Sequence, residues 1–173
     1  MQAILNYFWQ ICLLRVGPEK IPNSINFTIF ICSVYLALQV IATSISRSDL
    51  TGTVMLMRIG FSFTAELTIL YTLLTFKKQK HRLLGSYSAL FGCNSIMLLL
   101  TMPISSILLN LADGILLDFF TTLYVICLFW WFAIAGFIFH RAAHISLFQG
   151  IVIAISIELL VGHTTSIISQ FMT

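Results

Sequence analysis

The segment FSFTAELTILYTLLTFKKQKHR, residues 61–82, runs from a mostly apolar stretch into four cations and carries one acid, Glu66, inside that stretch. An apolar run that ends in a block of Lys and Arg is typical of a transmembrane helix whose end lies at the cytoplasmic face. The segment therefore predicts a membrane-spanning helix. It also raises the question of what a carboxylate contacts at the depth of the lipid tails.

The composition of the whole chain favours a membrane protein. Of its 173 residues, 59% are hydrophobic and 9% are charged, whereas a soluble globular domain carries about 25% charged residues. Because so few charges cannot cover a water-facing surface, we expect an integral membrane protein that has the lipid bilayer as a partner. The length fits a single transmembrane domain, 1–173. No basic face with interleaved aromatic residues is present, so nucleic acid is not expected as a partner.

Five apolar segments follow one another with short connections. They cover residues 24–44, 53–76, 85–109, 115–140 and 146–169. Each is long enough to cross a hydrocarbon core of about 30 Å, and in lipid a helix satisfies all of its own backbone groups. We therefore predict an all-α fold, an integral membrane bundle of five transmembrane helices.

Residues 2–16 precede these segments and have apolar positions near helical spacing. Gly17, Pro18 and Pro22 follow and break a helix. We expect a short amphipathic helix that lies in the membrane interface; the alternative is that this helix extends the first span with a kink. No early positive region precedes it, so a cleavable signal peptide is not expected.

The cations predict the orientation of the bundle. In a five-span arrangement, one side receives Arg15, Lys20, Lys77, Lys78, Lys80, Arg82 and Arg141, and the other receives Arg47, Asp49, Asp113 and Asp118. The positive-inside rule then places the N-terminus in the cytoplasm and the C-terminus outside. Lys77, Lys78, Lys80 and Arg82 form a cytoplasmic basic anchor, which can also attract anionic lipid headgroups. The short loops favour a bacterial inner membrane.

Several polar side chains fall inside the apolar segments: Glu66, Glu158, Asn94, Arg58 and His163. With a rise of 1.5 Å per residue, the first three lie about 14–18 Å from the cytoplasmic ends of their helices, and the last two about 26 Å. An unpaired charged acid at a helix centre costs about 2.5 kcal/mol or more, so we expect this intramembrane polar cluster to face the bundle interior. Two facing carboxylates cannot both ionise cheaply, so at least one is expected to hold a proton. The cluster fits a proton- or cation-responsive site, or else polar contacts within a purely structural bundle.

The last segment carries a small or polar residue at every fourth position: Gly150, Ala154, Glu158, Gly162, Ser166 and Gln170. Such positions share one helix face, and small residues let helices approach closely. Gly150, Ala154 and Gly162 are therefore predicted to form a helix-packing stripe. We expect it to face the stripe that Arg58, Ser62 and Glu66 form on the second segment.

The sequence offers little support for metal or cofactor chemistry. Its four cysteines form no C-x-x-C pair, and cysteines in apolar runs usually behave as small buried hydrophobic side chains. His140 and His144 are four residues apart, but a lone pair at this spacing is weak support for a metal site. No phosphate-binding glycine loop and no nucleophile elbow occurs. We expect no metal, no cofactor and no enzymatic activity.

The stretch LFWWFAIAGFIFHRAAHISLFQGIVIAISIELL, residues 128–160, joins a Trp-bearing helix to a small-residue helix through a short turn and a Ser. In this texture, and in its five closely spaced spans, the chain resembles the Yip family of small membrane proteins. The resemblance implies a cytoplasmic N-terminus, an outside C-terminus and an adaptor or trafficking-type role. Bacterial relatives in that family are inner-membrane proteins.

We predict from these observations a non-catalytic scaffold or accessory subunit of a membrane complex, whose partner is another membrane protein or a second copy of the chain. The alternative is a small proton- or ion-coupled transporter that uses Glu66 and Glu158. A membrane-embedded enzyme is a third interpretation, which would require polar groups that face a water-filled cleft. Neutral variants of the two acids distinguish the first two interpretations.

Overall fold

The computed structural model describes residues 2–46 and 52–172, with side chains over 4–19, 21–46 and 52–164 and at 166. Arg47 and Asp49, which contributed to the predicted orientation, lie outside the described residues. The described chain forms the helices α1 (Gln2–Cys12), α2 (Ile25–Ser46), α3 (Gly52–Phe76), α4 (Leu83–Asn110), α5 (Ile115–Ala143) and α6 (Leu147–Met172). Single 3₁₀ turns at Pro18–Lys20 and Lys80–Arg82 lie between α1 and α2 and between α3 and α4.

Helices α2 to α6 are each long and apolar enough to cross a membrane. The protein is therefore a multi-span membrane protein, and the predicted fold class, an all-α bundle of five spans with a short N-terminal helix, is confirmed. The helices begin and end within about three residues of the predicted spans, as is usual for helix ends.

Helix α1 is shorter than the predicted segment 2–16, because it ends at Cys12. Leu14 follows with φ of 59°, a left-handed conformation that interrupts a right-handed helix. A 3₁₀ turn then separates α1 from α2, so α1 is a separate helix and not a kinked extension of the first span.

One face of α1 packs into the bundle while the other remains exposed. Phe8, Ile11 and Cys12 are buried, whereas Leu5 and Trp9 are exposed. Phe8 lies so close to Gly92 of α4 that a Cβ at Gly92 would overlap the Phe8 ring. The indole Nε1 of Trp130 on α5 donates to the Cys12 carbonyl at 2.8 Å. The structure thus docks α1 on α4 and α5 through both apolar and polar contacts.

Helix α4 forms the centre of the bundle, where it packs against α2 and α5. Every residue over 85–95 is buried. Nearby, α5 and α6 approach so closely that a Cβ at Gly150 would overlap the Gly136 carbonyl. This half of the bundle contains the α3–α4 turn with residues 77–82. We call it the basic end.

The other end of the bundle, which carries residues 111–114, is called the opposite end. Packing is less dense there, because none of residues 98–110 of α4 and none of residues 115–126 of α5 is buried. A Cβ at Gly60 or at Gly162 would have no neighbouring heavy atom within 4 Å. The helices therefore pack closely at the basic end and less closely toward the opposite end.

Candidate functional site: an intramembrane polar cavity

A cavity of about 180 Å³ lies between the spanning helices, and each of the five contributes side chains to it. They include Tyr35 of α2, Glu66 of α3, Asn94 of α4, Trp131 of α5 and Glu158 of α6. These five lie near the middle of their helices. The remaining lining residues, such as Thr43, Arg58 and Thr101, lie toward the opposite end. The cavity therefore extends from the middle of the bundle toward its less densely packed half.

Glu66 lies at the inner limit of this cavity and is only 7% exposed. Asn94 Nδ2 donates to its Oε2 at 3.0 Å. The Tyr35 hydroxyl donates to its Oε1 at a longer 3.4 Å. Each carboxylate oxygen thus has a neutral donor. Hydrogen bonds of this kind offset part of the cost of removing a carboxylate from water.

Trp131 fixes the orientation of the Asn94 amide. Its indole Nε1 donates to Asn94 Oδ1 at 2.8 Å, which leaves Nδ2 to donate to Glu66. The bonded series Trp131–Asn94–Glu66–Tyr35 therefore joins α5, α4, α3 and α2. Because each member holds the next, these four side chains form a preorganised polar network.

Glu158 and Arg58 also line the cavity, but their surroundings differ from those of Glu66. The Glu158 side chain is exposed and Arg58 is half-buried. Arg58 is close enough to attract the Glu158 carboxylate, and Glu158 is close enough to repel that of Glu66. Among the described residues that line the cavity, Arg58 is the one cation against two carboxylates. An ionised cavity would therefore carry a net negative charge and favour a cation or a proton.

His163 is the member of the predicted polar cluster that the structure does not bring to the cavity. It is exposed on α6, and its carbonyl accepts a hydrogen bond from Ser166 Oγ at 2.7 Å. Its predicted depth matched that of Arg58, but depth along a helix does not give the direction in which a side chain points.

The predicted packing stripe of α6 behaves differently along its length. Gly150 contacts Gly136 of α5, and Ala154 is buried. Gly162 is exposed and has open space around it. The close contact at the basic end is thus with α5, whereas α3 was the expected neighbour. Glu158, in the same stripe, shares the polar cavity with the α3 residues Arg58, Ser62 and Glu66.

The basic anchor also divides into two parts. Lys77, Lys78 and Lys80 are exposed in the α3–α4 turn. Arg82 is half-buried, and its Nη1 donates to the Arg141 carbonyl at 3.3 Å and lies 3.0 Å from Nε2 of His144. The three lysines thus form a solvated surface, while Arg82 joins the start of α4 to the end of α5.

His140 and three of the four cysteines lie inside the packed part of the described chain. His140 Nδ1 contacts the Ile145 carbonyl, where the chain turns from α5 into α6. Cys12, Cys93 and Cys127 are buried and unpaired in disulfides. Within the described residues, no group of three His, Cys, Asp or Glu side chains is placed to hold a metal ion.

Sequence reasoning did not single out Tyr35 or Trp131 as members of the site. Both occur in long apolar runs, where they read as apolar bulk. A signal was available, because a buried Tyr hydroxyl or Trp indole N–H usually needs a hydrogen-bond partner. Intramembrane Glu66 and Asn94 are the partners that these groups find.

Comparison with known proteins finds no family model, no curated protein and no solved structure that matches this chain. The resemblance to the Yip family therefore stays a prediction. Function has to be argued from the cavity itself. A carboxylate held by neutral donors next to a polar space can take up and release a proton, or bind a cation, with little rearrangement of its neighbours.

Proposed function

We propose that the protein is a small proton- or ion-coupled transporter that binds its solute in the intramembrane cavity. The observation that carries this proposal is Glu66, a buried carboxylate with neutral hydrogen-bond partners at the inner limit of a polar cavity. Ionisable groups in spanning helices are costly and typically mark ion or proton pathways. A purely structural bundle has no need of a polar cavity.

The proposal assigns separate roles to the charged residues. Glu66 is the group that binds the coupling proton or cation. Glu158 and Arg58, which line the cavity beyond it, contact the solute. Because these two carry opposite charges, they favour a small cationic or zwitterionic solute over an apolar one.

The packing of the bundle gives the proposed transporter one open and one closed side. Buried residues 85–95 of α4 lie between the polar cavity and the basic end, and the cavity extends toward the opposite end. The positive-inside rule assigns the basic end to the cytoplasm, so the cavity would open outward. The short loops favour a bacterial inner membrane as the location of the proposed transporter.

The test is proton uptake by proteoliposomes under an imposed potassium diffusion potential, in the presence of a panel of small cationic and zwitterionic solutes. Wild-type protein should acidify the vesicle interior faster than protein-free liposomes, and Glu66→Gln should abolish the difference. Asp118→Asn, which removes an exposed acid outside the cavity, is the matched control and should keep wild-type flux. If wild-type protein gives no flux of protons or of small cations, the transporter proposal fails.

The scaffold or accessory-subunit role remains the competing proposal. It predicts a stoichiometric membrane partner after affinity purification in mild detergent, and no flux above that of protein-free liposomes. A non-enzymatic role is common to both proposals.

A further inference from the structure

A second cavity, of about 290 Å³, lies at the basic end of the bundle. Its walls come from the linker between α1 and α2, the start of α4 and the end of α5. The polar side chains that line it are Glu19, Asn23, His81, Arg82, Ser86 and Arg141. None of these residues belongs to the polar cavity described above, so the two spaces can have separate ligands.

The electrostatic character of this basic-end cavity is set by two guanidinium groups and one carboxylate. Arg141 Nε pairs with Glu19 Oε1 at 2.8 Å, which is the one ion pair within 4 Å in the described chain. Arg82 lies beside it and donates to the Arg141 carbonyl. An Arg side chain stays charged at any physiological pH. Two positive charges against one negative charge leave the cavity with an excess positive charge.

The walls of the cavity are held in place by hydrogen bonds. Asn23 Nδ2 donates to the His81 carbonyl at 2.8 Å, which ties the α1–α2 linker to the α3–α4 turn. Ser86 Oγ donates to the Arg82 carbonyl at 2.8 Å. Gly85 lines the cavity with no side chain to fill it. A ligand would therefore find the two guanidinium groups already placed, which lowers the entropic cost of binding.

We propose that the basic-end cavity binds a phosphate group between Arg82 and Arg141. The guanidinium fork matches the geometry of phosphate oxygens and can form paired, charge-assisted hydrogen bonds. The cavity lies at the ends of spanning helices, at the level of lipid headgroups, and basic pockets between such helices bind anionic headgroups. The exposed Lys77, Lys78 and Lys80 raise the local concentration of anions. The phosphate comes either from an anionic lipid or from a soluble phosphate.

The test measures ligand binding to the full chain in neutral detergent by native mass spectrometry. Phosphatidylglycerol is the lipid probe, diacylglycerol is the comparator without phosphate, and inorganic phosphate is the soluble probe. Arg82→Gln and Arg141→Gln should each weaken binding about tenfold, since a hydrogen bond to a charged group has about that effect. Lys78→Gln removes the same charge from the same surface without touching the cavity, and should weaken binding by less than about twofold.

Glu19→Gln gives the sharpest result, because it removes the carboxylate that competes for Arg141. Binding should become tighter if the ligand is an anion, and weaker if it is a cation. Binding of phosphatidylglycerol alone identifies a lipid site, and displacement of that lipid by inorganic phosphate identifies a site that also accepts soluble phosphate.

Weaker binding in Glu19→Gln would overturn the proposal, and so would either of two further results. One is an equal effect of Arg82→Gln and Lys78→Gln, which would mean diffuse attraction to a basic surface. The other is equal binding of phosphatidylglycerol and diacylglycerol. The melting temperature of Arg82→Gln shows whether that variant folds. Arg141→Lys keeps the positive charge but loses the guanidinium fork, so it should show a loss of binding between those of wild type and Arg141→Gln.

Discussion

Glu66 is held by the atoms that donate to it and not by a nearby cation. Asn94 and Tyr35 each supply one donor, and Trp131 orients the first of them. Hydrogen-bond acceptance and charge can therefore be tested separately at residue 66. A neutral amide can replace the carboxylate as a hydrogen-bond acceptor but cannot carry its charge or its exchangeable proton.

The first prediction compares two replacements of Glu66. Glu66→Gln keeps an acceptor oxygen for Asn94 or Tyr35, so its melting temperature in detergent should stay close to wild type while flux is lost. Glu66→Leu leaves both donors unpaired, at a cost of about 1–3 kcal/mol, and should melt at a clearly lower temperature. If Gln destabilises the protein as much as Leu, the hydrogen bonds are not what holds this side chain.

The second prediction concerns the two adjacent tryptophans. Trp131→Phe removes the donor to Asn94 and should lower flux, because the amide is then free to rotate away from Glu66. Trp130→Phe removes the donor to the Cys12 carbonyl and should leave flux unchanged, while destabilising the docked α1 by about 1 kcal/mol. Flux and thermal unfolding of both variants provide the measurement. An equal loss of flux in the two variants would show that transport depends on the size of the tryptophan side chains and not on the indole N–H of Trp131.

The sequence predicted the depth of these side chains along the helix axes, but not the direction in which they point around each axis. Counting 1.5 Å per residue placed Glu66 and Asn94 at one depth, and they are hydrogen-bonded. The same counting put His163 level with Arg58, yet His163 does not line the cavity, since rotation about the axis depends on tertiary packing. Tyr35 and Trp131 were not predicted as site residues, because a hydropathy pattern counts their rings as apolar and does not register the hydroxyl or the indole N–H.

At the scale of whole elements, hydrophobic length predicts most of the fold. A run of about 20 apolar residues has one stable form in lipid, so five spans follow directly from the pattern. The end of α1 was harder to predict. The helical spacing of apolar residues continues to residue 16, but Leu14 takes a left-handed conformation. Leu has no preference for that conformation, so the sequence does not predict the turn.

The third prediction tests the contact between α5 and α6 with two glycines of the same helix. Gly150→Ala places a methyl group against the Gly136 carbonyl, and overpacking of this kind costs about 1–3 kcal/mol. Gly162→Ala has open space and gains helix propensity of up to about 1 kcal/mol. Thermal unfolding should therefore separate the two variants in opposite directions. Equal melting temperatures would mean that α5 and α6 can move apart freely.

In the molecule as a whole, the helices make close glycine contacts in the half at the basic end, and the central polar cavity extends into the other half. Gly92, Gly136 and Gly150 make close contacts near the basic end, whereas Gly60 and Gly162 have none. This asymmetry places the polar cavity toward one end of the bundle. It also makes the orientation of the chain and the accessibility of the cavity measurable in a single experiment.

The fourth prediction is the labelling pattern of single cysteines in a variant whose four native cysteines are replaced by alanine. Thr101→Cys lies in the cavity wall and, if the cavity opens outward as proposed, should react with a membrane-impermeant maleimide in right-side-out vesicles. Lys78→Cys lies in the exposed turn at the basic end and should react only in inside-out vesicles. A reversed pattern would invert the orientation expected from the cations. Reaction of Lys78→Cys alone would mean that water does not enter the cavity from the opposite end, and an outward-opening transporter would then be excluded.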